Sequence, residues 1–165
     1  METLGSIFLF LHIGGAIAAF GPTIAFPIIG AKAAAEPQHG NFALRITSFL
    51  TTRVVEPGAV FVFLMGLGLI WTRGWNPFTT LWLGLAIILF LITLGYSVFV
   101  QKPAVMRMVE MTATPPPPPV EGYPPAGPPP EFVQTSQHVA RGGMFMTVML
   151  VLILFLMVFK PTFGG

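Results

Sequence analysis

Four stretches of this sequence carry no formal charge: residues 3–31 (29 residues), 57–72 (16), 74–101 (28) and 142–159 (18). A helix needs about 20 mostly apolar residues to cross roughly 30 Å of hydrocarbon. The first and third stretches meet that length outright. The fourth meets it when Arg141 and Lys160 snorkel toward the two interfaces. The second meets it when Val54 and Val55 extend it, leaving Glu56 near the headgroups. Apolar residues run all round each stretch rather than alternating, which argues against barrel strands. Only helices satisfy their own backbone in lipid. The expected fold is therefore all-α: an integral membrane antiparallel four-helix bundle, one domain over residues 1–165, with spans near 4–30, 54–72, 78–101 and 142–160.

Composition supports that reading by exclusion. Only 8% of the 165 residues are charged and 54% are apolar, too few charges to solvate the surface of a soluble domain. High hydrophobicity also excludes disorder over most of the length. With no cysteine there are no disulfides, thiolate metal sites or cysteine nucleophiles. All six acids are glutamates, and a net charge of +2 gives no footprint for nucleic acid. The first stretch is preceded by Glu2 rather than by a basic segment, and it is too long for a signal-peptide core, so it reads as a retained helix.

Basic residues set the expected orientation. Lys32, Arg45, Arg53, Lys102, Arg107 and Arg141 fall on the side that holds the first and third connections. Only Arg73 and Lys160 fall on the other. The positive-inside rule places both long loops in the cytoplasm and both termini outside. A multi-pass protein of the cell membrane is expected. Trp71, Trp75 and Trp82 surround the short second connection and predict an interfacial aromatic belt there. Arg73-Gly74-Trp75-Asn76-Pro77 predicts a compact turn.

Two segments outside the spans stand out. Residues 41–56 predict a helix that begins before the membrane, with Arg53 and Glu56 close enough to pair, and Pro57 predicts a kink. Residues 112–131 include ten prolines and predict an extended, stiff cytoplasmic strap. A docking site for an aromatic groove is the alternative for that strap.

Candidates for chemistry are few. His12 is the one ionisable side chain well inside a span, and such a group is a functional candidate by default. Small residues surround it: Gly14, Gly15, Ala16, Ala19 and Gly21. They admit a neighbouring helix or a flat cofactor. As an axial ligand of haem b, His12 would need a partner at similar depth. Met65 fits best and Met149 lies somewhat deeper, whereas His39 and His138 belong to the basic side. The plainer reading is a neutral histidine bonded to a hydroxyl on a neighbouring helix. The repeated spacing Met106-x-Met108-x-x-Met111 and Met144-x-Met146-x-x-Met149 raises Cu(I), but alternate helical positions face apart and methionine is a common core filler. Thr93 and Ser97 can bond back to their own helix. No catalytic residue and no metal-ligand motif is predicted.

The segments Leu11-His12-Ile13-Gly14-Gly15, Val55-Glu56-Pro57-Gly58-Ala59 with Gly66, and Leu156-Met157-Val158-Phe159-Lys160-Pro161 resemble a family of small predicted bacterial membrane proteins, the domain of unknown function 2269. The resemblance covers all four spans but not the proline strap. It implies a four-helix membrane protein and no activity. More distantly, an early helix-one histidine is similar to copper-resistance D proteins and to the haem-binding bacterial protoporphyrinogen oxidase, and only His12 maps onto either. The leading expectation is a non-enzymatic membrane component or accessory subunit that contacts lipid and other membrane subunits. A b-haem redox protein using His12 is the alternative, and a small transporter the third reading.

Overall fold

A computed structural model describes residues 2–113 and 127–161. Four long helices fill them: α1 (Glu2–Ala35), α2 (Pro37–Arg73), α3 (Leu81–Met111) and α4 (Pro130–Phe159). All four are long and apolar enough to cross a membrane, and no strand occurs among the described residues. Most of the proline strap, residues 114–126, lies outside the described residues. At 30 to 37 residues the helices are about 45–55 Å long, well over the ~30 Å of a hydrocarbon core. Each therefore exceeds the span expected from charge-free sequence. The excess lies at the end where α1 meets α2 and α3 leads to α4, here called the basic end. The long first loop expected there is instead helix, with Glu36 alone between α1 and α2. The opposite end, closed by the α2–α3 connection over residues 74–80, is the turn end.

Close packing follows chain order. Helix α1 lies along the turn-end half of α2, α3 packs on α4, and the basic-end halves of α2 and α3 meet each other. The α1–α2 seam has a simple logic. Without a hydrophobic drive in lipid, helices associate where small residues allow close approach. Residues Gly5, Phe8, His12, Gly15 and Ala19 recur every three or four positions, so they share one face of α1. Phe8 lies over Gly68, His12 over Gly66 and Ala19 over Gly58, while Gly15 receives Phe61 and Val62. At almost every step one partner is glycine or alanine. A Cβ on Gly58 would come within 2.5 Å of that of Ala19, so the two helices are close to backbone contact there.

The turn end closes differently. Helix α2 stops at Gly74, whose φ of 67° suits a residue without a Cβ. Its N–H reaches the Trp71 carbonyl at 3.3 Å and that of Trp75 reaches Ile70 at 3.1 Å, a Schellman closure. The Asn76 side chain then accepts from the N–H of Phe78 at 2.9 Å, completing the compact turn. The small apolar core sits beside it: Trp82, Leu83, Ala86 and Leu156, with Trp75 and Ile70 against them. Trp75 and Trp82 meet edge to face, 5.4 Å between ring centres. The Lys160 ammonium lies 5.1 Å and 5.7 Å from the two rings. The expected three-membered tryptophan belt is thus reduced to Trp71, which is exposed, because Trp82 is 7% exposed and belongs to the core. Two rings that hold a lysine fasten the ends of α2, α3 and α4 more specifically than a belt would.

Pro57 does not end or sharply break its helix. A π turn over Thr51–Val55 precedes it. Proline clashes with the carbonyl four residues back and cannot bond it. One wider turn moves that carbonyl aside, and the Glu56 N–H bonds Thr51, five residues back.

Candidate functional site

Two polar positions join neighbouring helices, one inside the expected spans and one at their basic-end boundary. The first is His12, half-buried between α1 and α2. Its Nδ1–H donates to the Val62 carbonyl at 2.8 Å. A carbonyl only accepts, so in the neutral ring the proton sits on Nδ1 and the lone pair on Nε2. Gly66 makes this possible: a Cβ there would lie 3.1 Å from the His12 Cε1 and 3.3 Å from Nδ1. An imidazole whose Nδ1–H is fixed by a backbone carbonyl is oriented to offer Nε2 as a ligand or an acceptor. Met65, the proposed axial partner, is the residue before Gly66 and is half-buried. His39 and His138 are exposed at the basic end, as expected. Among the described residues no group of three or more His, Cys, Asp or Glu could hold a metal ion.

The second position joins α2 to α3. Lys102 Nζ lies 2.8 Å from Glu56 Oε2, with side-chain exposures of 34% and 16%. The sequence offered Glu56 to Arg53, one turn earlier on the same helix. In the structure Arg53 is exposed and the carboxylate faces Lys102 on the next helix. Chain separation hid this pairing, since the two residues are 46 positions apart. The one available signal was that Glu56 and Lys102 each stand directly before a proline in a span boundary. Oε1 of Glu56 is buried without a hydrogen-bond partner among the described residues. Beside Lys102, the buried Gln101 donates to the Val139 carbonyl of α4 at 2.9 Å. Its amide oxygen rests on Gly142, with the Tyr96 hydroxyl close by. Thr93 bonds back to Leu89 of its own helix at 2.7 Å.

The family profile that matches the chain spans residues 6–161 and is described as a predicted integral membrane protein, DUF2269. The chain belongs to the DUF2269 family. His12, Glu56, Lys102 and Gln101 of this DUF2269 protein all lie inside the matched region. No curated protein and no solved structure gives a significant match. DUF2269 membership and the four candidate spans make this an integral membrane protein that sits in a lipid bilayer.

Proposed function

We propose that this protein is a non-catalytic membrane component that associates with other membrane helices through the face of α1 turned away from α2. One observation carries the reading. Along α1, Gly15 is filled by α2, whereas Gly14 and Gly21 have no heavy atom within 4 Å of where a Cβ would stand. Around them Phe10, Ile17 and Ile24 are at least 70% exposed. The order Phe10, Gly14, Ile17, Gly21, Ile24 alternates large and small at heptad spacing, which suits a second helix packing knobs into holes. The first test uses a photo-crosslinking side chain at position 17 in native membranes, with position 151 on α4 as a control. Discrete protein adducts from position 17, lost in Gly14→Leu/Gly21→Leu, are expected. Adducts with lipid alone at both positions would remove the basis for the reading.

A second reading rests on His12. Its fixed tautomer leaves Nε2 with the lone pair that an axial haem ligand needs. A Soret band in the mildly extracted protein, lost in His12→Ala, is the result that favours a b-haem role, with Met65 the candidate second ligand. A colourless, folded preparation excludes it. The basic end is assigned to the cytoplasm of a bacterial inner membrane on the charge bias alone.

A further inference from the structure

Three of the four helices change their hydrogen-bond pattern at one level. Counting from the turn end, regular α-helix runs for 19 residues in α1, 18 in α2 and 16 in α3. There α1 tightens into a 3₁₀ turn at Gly21–Ala25, which holds Pro22. Helices α2 and α3 widen into π turns at Thr51–Val55 and Ser97–Gln101. The two π turns are built alike. Each is followed by one charged residue and then a proline: Glu56-Pro57 and Lys102-Pro103. In each, the charged residue's N–H bonds the carbonyl five residues back. In each, the proline lacks the N–H that would hold the next turn. Both helices thus have fewer backbone restraints at the same depth, which is where helices bend.

The charged residues of the two joints pair with each other. Beyond them, the side-chain ties between the basic-end halves of α2 and α3 among the described residues are neutral hydrogen bonds, which must give way when the halves part. Asn41 donates to the Val109 carbonyl and the Thr112 hydroxyl, both at 3.0 Å. At the other end, Lys160 with Trp75 and Trp82 fastens the helices together.

We propose that the Glu56–Lys102 pair is a latch across two matched hinges: breaking it lets the basic-end halves of α2 and α3 rock apart while the turn end stays fastened. A pair this sheltered is intolerant of losing one partner, because the remaining charge stands unpaired in a poorly solvated place. Motion at the joints relieves that charge by admitting water. Gln101, adjacent to the latch and bonded to the Val139 carbonyl, transmits the motion to α4.

The absence of native cysteine makes spin labelling direct. Nitroxides at positions 42 and 110 report the basic end, and nitroxides at 67 and 88 report the turn-end half, all in lipid nanodiscs. Glu56→Gln keeps the side chain's shape and removes its charge. It is expected to shift or broaden the 42–110 distance by on the order of 5 Å, about the rise of one helical turn. The 67–88 distance is expected to stay unchanged, and the exchanged chain Glu56→Lys/Lys102→Glu to recover the narrow distribution. Lys102→Gln is the independent second variant. An unchanged 42–110 distance in either folded variant overturns the latch. So does equal broadening at both levels. If only the charge-paired chains, wild type and exchanged, fold at all, the pair is a structural requirement rather than a latch.

Discussion

At the scale of single residues, His12 and Gly66 act as a unit. The histidine ties α1 to α2 through a carbonyl that is already part of the α2 backbone, and the glycine is what lets the ring reach it. The tie itself is modest, since interhelical hydrogen bonds in membranes average about 0.6 kcal/mol. Replacing His12 with phenylalanine should therefore cost under about 1 kcal/mol in a denaturation series in mixed micelles. Gly66→Ala requires the ring to move by only a few tenths of an ångström and should cost less than Gly66→Leu. The leucine cannot be accommodated without separating the helices, and overpacking of that kind costs roughly 1–3 kcal/mol. If Gly66→Leu proved as stable as Gly66→Ala, the close approach would not be what holds the seam. The sequence announced His12 as an isolated polar group among small residues, and both halves of that reading describe the seam. It could not show that the acceptor is Val62, because a backbone carbonyl leaves no mark in the residue pattern.

Among elements, the spans were readable because charge is costly in hydrocarbon, so charge-free length maps onto helix. The helix over residues 41–56 was legible too, and helix runs unbroken through them from Pro37. What escaped was the continuation of α3 past Lys102 and the start of α4 at Pro130. Outside the bilayer core nothing forces helix to stop at the first charge, and the basic-end halves of α2 and α3 support each other there. Pro57 and Pro103 were equally visible, but proline alone predicts a kink, not a π turn paired with another at the same depth. The two prolines make a testable claim about backbone stability. Pro57→Ala with Pro103→Ala restores two N–H groups that can reach the carbonyls of Arg53 and Phe99. Amide exchange across residues 51–58 and 97–104 should then slow by about tenfold, the equivalent of one added hydrogen bond of ~1.4 kcal/mol. Equal or faster exchange would mean that the π turns are set by tertiary packing and not by the prolines.

For the whole molecule, the asymmetry in basic residues between its two ends supports one orientation in a membrane. The α1–α2 and α3–α4 connections leave from one end because the helices alternate in direction, and Lys32, Arg45, Arg53, Lys102, Arg107 and Arg141 gather there. Of the two basic residues at the other end, Lys160 is already engaged by Trp75 and Trp82. A lysine held over aromatic rings is compatible with an end that crosses the membrane during insertion, whereas six basic residues close to span ends resist translocation. The basic end is therefore expected to face the cytoplasm. Single cysteines at position 127, beside the proline-rich connection, and at position 78, in the turn, test this against a background free of native thiols. Phe78 is 96% exposed, so its replacement leaves the core intact. In intact cells a membrane-impermeant maleimide should modify position 78 and spare position 127, and permeabilisation should expose both. The reverse pattern would invert the molecule. Labelling of both sites in intact cells would mean that they are not separated by the single crossing of α3.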